Sequence, residues 1–321
     1  MKAGIAQRRL DPTRPVAVWT SMDLLTGRPA KSLTVILRTV GCRWNRCIMC
    51  SYASEGAPAS SSDLMVQFHE AMKRLSSETN VVKIYTSGSF LDSMEVPPEA
   101  RQKILDDLHS RGIKKLVIES RPEYITPELV AECLSGLDTE FAIGLETAND
   151  LIREKIIKKG FTFDDFARAS KTVHSLGGLV KAYLLLKPPM LSEGTAIRDA
   201  ISSAQAAGKH ADMLSLNLCN IQRGTLVERL WERERYRPPW LWSALEVLKI
   251  APHPIICDPV GAGTRRGPHN CGECDDSIAK AIRSHDLAQD PSIFDDLDCR
   301  CKAAWQKVVE LEEQTFGTPL M

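Results

Sequence analysis

The stretch Ser32-Leu-Thr-Val-Ile-Leu-Arg-Thr-Val40, followed directly by Gly41-Cys42-Arg43-Trp44-Asn45-Arg46-Cys47-Ile48-Met49-Cys50, decides the reading of this chain. The first half is apolar and β-branched and reads as a buried strand. The second half places three cysteines at C-x4-C-x2-C spacing, so three thiolates can converge on one metal centre. Short loops of this kind hold iron–sulfur clusters. A four-iron cubane held by three cysteines keeps one iron free for a small chelating ligand. A thiolate loop at the C-terminal end of a first strand is where a β/α barrel places its chemistry. A zinc knuckle or inert core cysteines remain alternatives, because spacing alone does not name the metal.

Working outward, the 321 residues suit one large domain with an appendage. An apolar content of 43% is ample for a packed core. Lys plus Arg and Asp plus Glu balance at 41 each, so no overall field draws nucleic acid to the chain. The first ten residues lack the apolar core of a signal peptide, and no run approaches the roughly 20 apolar residues of a membrane span. A cytoplasmic protein with reduced thiols, and no membrane partner, is the expectation.

Residues 1–31 read as an irregular N-terminal extension, with Pro12, Pro15, Gly27 and Pro29; Arg8, Arg9 and Arg14 there are a solvated face or a weak phosphate contact. Beyond the thiol loop, strands are expected over 81–85, 115–119, 141–146, 179–186 and 212–218. Helices are expected over 64–75, 97–112, 127–137, 149–159, 163–176 and 196–208. This alternation gives six strand–helix units between about 33 and 235, hence a parallel α/β sheet in an open, partial (β/α)6 barrel.

The strand ends carry the candidate site residues. Ser87-Gly88-Ser89 is a short polar loop with free backbone groups, and Asp92 stands nearby. Glu119 and Arg121 fall on the expected active face. Glu146 can accept hydrogen bonds from a ribose diol, or cap a helix. Lys181 interrupts an apolar strand, so it meets a carboxylate or sits at an exposed end. Asn220, Gln222 and Arg223 form a polar loop suited to a base or phosphate, or simply to solvent.

Arg237-Pro238-Pro239 marks a boundary, and 237–321 reads as a Cys-rich C-terminal domain opening with a short helix over 241–248. Cys271 and Cys274, with Cys299 and Cys301, form a C-x2-C pair and a C-x-C pair suited to tetrahedral zinc; a second iron–sulfur cluster or no metal are the alternatives. Cys257, His253 and His269 are spare ligands. Cys133 lies in a helix and reads as core. The glycine-rich 261–270 loop, with Arg265 and Arg266, suits a polyanion such as RNA.

The thiol loop and its setting resemble the radical S-adenosylmethionine (SAM) enzymes, with one residue more than their usual C-x3-C-x2-C. The strings VGCRWNRCIMCSY (40–52), IESRPEYIT (118–126), AIGLETANDLIREKIIKKGF (142–161), KAYLLLKPPMLSE (181–193), LNLCNIQRGTLVE (216–228) and CDPVGAGTRRGPHNCGEC (257–274) resemble the archaeosine-synthase radical SAM subunit family, which is related to the Elp3-like group. The last two strings are the specific ones. The resemblance implies a partial barrel in which Cys42, Cys47 and Cys50 hold a [4Fe-4S] cluster, while the Ser87–Ser89 loop and Glu146 position SAM. It implies a reaction on tRNA position 15, breaking the C–N bond of a preQ0–lysine adduct to leave archaeosine. It also implies three partners: tRNA, the lysine-transferring archaeosine synthase α-subunit and an electron donor. The alternatives are another Elp3-like RNA-modifying enzyme, or a non-catalytic metal-containing RNA-binding scaffold.

Overall fold

The computed structural model describes residues 10–251, 254–315 and 319–320. Arg8, Arg9 and the spare ligand His253 lie outside the described residues. The chain divides into two compact units. One holds the N-terminal residues to Asn45, Ser51–Gly144 and Asp164–Val180; the other holds Arg46–Cys50, Leu145–Phe163 and the chain from Lys181 onward.

The first unit opens with a correction. The lead-in expected to be irregular forms a hairpin, β1 (Ala17–Leu25) antiparallel to β2 (Arg28–Ile36). Its two-residue turn has both central residues in the left-handed region, Thr26 at φ 50° and Gly27 at φ 74°. That backbone matches the twist of the flanking strands. β2 then pairs in parallel with β3 (Thr79–Tyr85), β3 with β4 (Lys115–Ser120), and β4 with β5 (Asp138–Glu146). The crossovers are helical: α1 (Ser61–Met72), α2 (Pro98–Ser110), α3 (Pro127–Leu134) and, after β5, α4 (Phe163–Ser175).

Local sequence explains these elements. Ser60 and Asp63 form a reciprocal capping box at the start of α1, which begins three residues before the expected Leu64. Such a cap is worth about 1 kcal/mol. Leu64, Phe68, Ala71 and Met72 recur at helical spacing and are buried. α2 begins with Pro98, whose missing N–H is harmless in a first turn. Val81, Val82 and Ile84 on β3 and Leu116-Val117-Ile118 on β4 are fully buried, as in parallel strands covered on both faces. Lys115 and Glu140 pair at 2.6 Å on neighbouring strands, so neither is buried alone.

The second unit carries β6 (Leu179–Leu186) for most of its length, then α5 (Glu193–Ala207), β7 (Met213–Leu218), α6 (Leu226–Glu232), α7 (Leu241–Ile250), β8 (Ile255–Asp258), α8 (Asp275–Ala288) and α9 (Cys301–Leu311). β6 pairs in parallel with β7, and β7 with β8. Within each unit strand order follows the chain, β1 to β5 in the first and β6 to β8 in the second. The six expected strand–helix units are present as β2 to β7 with α1 to α6, and the fold is the α/β class read from the sequence. Two strands lie beyond those six, β1 before them and β8 after them.

The expected helix over 149–159 is shorter. Asp150 and Leu151 are α-helical, and Ile152–Ile157 is a π-helix. Arg153 explains the departure: it is fully buried, and its guanidinium donates to the carbonyls of Thr147 and Phe161 rather than reaching solvent. A helix that must accommodate such a side chain is a natural place for a wider turn.

Candidate functional site

In the first unit the loops after β2, β3 and β4 are stitched together. Gly41 takes φ 94°, a backbone conformation that a side chain disfavours. Its N–H donates to the Thr39 hydroxyl at 3.2 Å, and that hydroxyl donates to Glu95 at 2.8 Å. The other Glu95 oxygen accepts the Ser89 N–H at 2.9 Å. Glu95 is buried, and burial lifts its carboxyl above the usual range, against the hydrogen bonds from Thr39 and Ser89. One carboxyl group therefore ties the thiol loop to the Ser87-Gly88-Ser89 loop. The sequence reading missed Glu95, since a lone glutamate before Pro97 carries no signal.

Gly88 approaches the thiol loop so closely that a Cβ there would lie 2.9 Å from the Cα and Cβ of Cys42. Ser87 donates to the Tyr52 carbonyl at 3.2 Å. Ser89 accepts the Arg121 N–H at 3.0 Å, and the Phe90 N–H reaches the Glu119 carbonyl at 2.8 Å. Arg121 is buried, with its guanidinium 5.2 Å from the Trp44 ring centroid and paired with Glu123 at 2.5 Å. Arg43 donates to buried Asp92 at 2.7 Å and lies over the Tyr124 ring.

In the second unit, residues 46–50 are held by backbone bonds: the Ile48 N–H reaches the Ile157 carbonyl at 3.1 Å, and the Ile48 carbonyl accepts from the Leu226 N–H at 3.1 Å. Met49 packs against the core cluster of Leu185, Cys219, Ile221, Val227 and Tyr236. Glu146 ends β5 at φ 68° and pairs with Lys159 at 2.6 Å. A non-glycine residue held in that region stores strain, which concentrates at functional positions. Lys181 is buried on β6 rather than at an exposed end.

The three thiols of the 42–50 loop are each half-buried. By chemistry they are a soft donor set of the kind that holds an iron–sulfur cluster. Other cysteines do not compete. Cys133 and Cys219 are buried, and burial pushes their thiols up to about 12. Burial likewise lifts Cys257 well above the usual thiol range, and it is not among the four tail cysteines that gather. The four tail cysteines Cys271, Cys274, Cys299 and Cys301 do come together, every sulfur within 4.8 Å of the others. His269 donates Nδ1–H to the Gly267 carbonyl at 2.8 Å.

The expected substrate residues are partly committed to the fold. Arg266 pairs with Glu228 at 2.6 Å and donates to the Ile221 carbonyl, while Arg265 is exposed. The Asn220 side-chain oxygen is buried without a partner among the described residues. Arg223 is exposed, and the Gln222 carbonyl accepts from Thr225, which caps α6. No helix among the described residues is long and apolar enough to cross a membrane.

Residues 36–193 match the Radical SAM superfamily. The chain is 48% identical over 322 residues to archaeosine synthase subunit beta of Methanosarcina acetivorans, covering 96% of this chain and 93% of that one. It is 43% identical over 310 residues to the protein of the same name from Thermococcus kodakarensis, covering 91% and 96%. Among solved structures, the Elp3 of Methanocaldococcus infernus shares the fold with a TM-score of 0.53 at 17% identity, covering 80% of this chain and 63% of that one. The chain belongs to the archaeosine synthase subunit beta family of radical SAM proteins.

Proposed function

We propose that this chain carries out the radical step of archaeosine formation on tRNA: cleavage of the lysine-side C–N bond of a preQ0–lysine adduct at position 15. The observation that carries the reading is near-complete coverage by relatives of that name, at 43% and 48% identity. The thiol loop lies within the matched superfamily residues.

In this reading Cys42, Cys47 and Cys50 hold a [4Fe-4S] cluster. With SAM bound and an electron supplied, that cluster furnishes a 5′-deoxyadenosyl radical able to take a hydrogen atom from carbon. The rest falls to this chain's own groups. Gly88 gives the backbone its close approach to Cys42, and Glu95 holds both loops in place. Ser87, Ser89, Glu119, Arg121, Glu146 and Lys181 are assigned to positioning SAM, with Glu146 accepting from the ribose diol. Asn220, Gln222, Arg223, Arg265 and Arg266 are assigned to the RNA side, with Arg265 and Arg223 exposed for phosphate and Arg266 acting through its tie to Glu228.

Hydrogen abstraction is placed on the lysine carbon next to the linking nitrogen. A partner that attaches lysine supplies the adduct, and it can carry most of the tRNA affinity, since this chain has no net charge. The test is anaerobic incubation of the protein with lysine-adduct tRNA, SAM and reductant, followed by nucleoside mass spectrometry. The expected product is archaeosine, with deuterium from that lysine carbon recovered in 5′-deoxyadenosine. Adduct that survives intact while SAM is cleaved would exclude the substrate; absence of deuterium transfer with product formed would exclude that site of abstraction.

A further inference from the structure

We propose that Cys271, Cys274, Cys299 and Cys301 bind one zinc ion, and that this ion clamps the N-terminal ends of α7, α8 and α9. The proposal concerns a second centre, separate in sequence from the 42–50 loop. It does not depend on the reaction assigned above.

Geometry selects among the readings the spacing allows. A single zinc with Zn–S bonds of about 2.3 Å in a tetrahedron sets its sulfurs about 3.8 Å apart. Here Cys271 and Cys299 are 3.7 Å apart, Cys274 and Cys301 are 3.6 Å apart, and all four lie within 4.8 Å. In a cubane each thiolate sits on its own iron, which spreads the sulfurs wider than one ion's tetrahedral edge. A disulfide needs about 2.05 Å, far inside the observed separations. Each close pair also joins one cysteine of the C-x2-C motif to one of the C-x-C motif. A single ion bonded to all four sulfurs accounts for both pairs at once.

The surroundings are built for thiolates. The Trp242 indole N–H donates to the Cys301 sulfur at 3.3 Å, and the Asn270 amide donates to the Cys274 sulfur at 3.3 Å. Such donors orient metal-bound sulfur. Asp275 shapes the turn, accepting the Asn270 N–H at 2.9 Å and the Gly272 N–H at 2.8 Å. Four thiolates around a divalent ion leave a charge of about −2. Cys274 is the cap residue of α8, Cys301 is the first residue of α9, and Trp242 is the second residue of α7. Three positive helix ends therefore face that charge. Asn270 adds a direct tie, its side-chain oxygen accepting the Leu241 N–H at 2.9 Å at the head of α7.

The clamp also reaches the end of β6. Ser243, the residue after Trp242, donates to Glu193 at 2.5 Å and accepts the Trp305 indole N–H from α9 at 2.8 Å. Glu193 pairs with buried Lys187 at 2.6 Å, just past β6. Binding replaces four S–H protons with the ion, so four protons leave per zinc and no redox change is required.

Metal analysis of the full-length protein, and of a variant with Cys42→Ala, Cys47→Ala and Cys50→Ala, tests this. One zinc per chain is expected in both. Cys274→Ser with Cys301→Ser should lose it. Should that variant fail to fold, titration of the wild-type protein with a mercurial, with zinc followed by a chromogenic chelator, should release one zinc as four thiols react. Cobalt-substituted protein should show the charge-transfer bands of a tetrahedral tetrathiolate. Iron at these cysteines, zinc that disappears with the 42–50 cysteines, or a metal-free tail with all four thiols reactive would each overturn the proposal. None of these readouts depends on archaeosine formation.

Discussion

Gly88 and Cys42 touch through their backbones: any side chain at position 88 would press its first carbon to 2.9 Å from the Cys42 Cα and Cβ, and would also strike the Glu95 carboxyl group. Cys42 thus owes its placement to a missing methyl group on a different strand's loop. Gly88→Ala should cost about 1–3 kcal/mol in urea denaturation, the usual penalty of overpacking. It should also lower iron retention in the anaerobically purified protein. A variant with unchanged iron and unchanged stability would show that the two loops move freely.

Arg43 and Asp92 offer a test of how the thiol loop is braced. Asp92 is almost fully buried while Arg43 is half-exposed, and the pair is 2.7 Å apart. Arg43→Ala leaves buried Asp92 with the Met94 N–H at 3.0 Å but without its counter-charge, and should destabilise by about 1–3 kcal/mol. Asp92→Asn should cost less, and the double variant should cost less than the sum of the singles. Additive losses in a double-mutant cycle would show that the contact contributes nothing.

Asp199 gives the second unit a pH signature. It accepts the Thr147 hydroxyl at 2.9 Å, and burial lifts its carboxyl above the usual value, against that hydrogen bond and the nearby Arg153. A carboxyl with a raised folded-state pKa favours the protein while protonated. Its contribution is complete below the unfolded value of about 3.8 and is lost as pH rises through the folded value. Asp199→Asn should therefore raise the urea midpoint more at pH 7 than at pH 4. An equal change at both would show that Asp199 is as ionisable folded as unfolded.

Glu146 separates a cofactor role from a structural one. Glu146→Gln removes the charge that pairs with Lys159 and weakens acceptance from a ribose diol. Lys159→Met breaks the same ion pair but leaves the carboxylate. SAM affinity, measured by equilibrium binding, should fall about tenfold, near 1.4 kcal/mol, in the first variant and much less in the second. Equal losses would make the ion pair, rather than the carboxylate, the relevant feature.

Much of this architecture was legible because the sequence carries it locally. β6 is an apolar run bounded by Gly177-Gly178 and Pro188-Pro189, and its ends were read as they stand. The four tail cysteines, grouped by their spacing, do gather in the fold, though the close pairs join one cysteine of each motif. β1 was not foreseen: its residues mix polar and apolar, and the prolines around it suggested a loop. The Thr26-Gly27 turn was the overlooked signal. β8 is four residues long, too short to show a period. The π-helix at Ile152–Ile157 follows from where the Arg153 side chain is buried, a tertiary fact that no local pattern encodes. The same holds for Glu95, Trp242 and Asn270, whose partners are remote in sequence or reached only through the fold.

The most direct measurement is the metal at the first thiol triad. Protein purified without oxygen should carry about four irons per chain, with a reduced-state electron paramagnetic resonance signal that changes when SAM is added. Replacing Cys42, Cys47 and Cys50 with alanine should abolish both the iron and the signal. Zinc at that triad, or a cluster signal indifferent to SAM, would contradict the radical chemistry assigned to this chain.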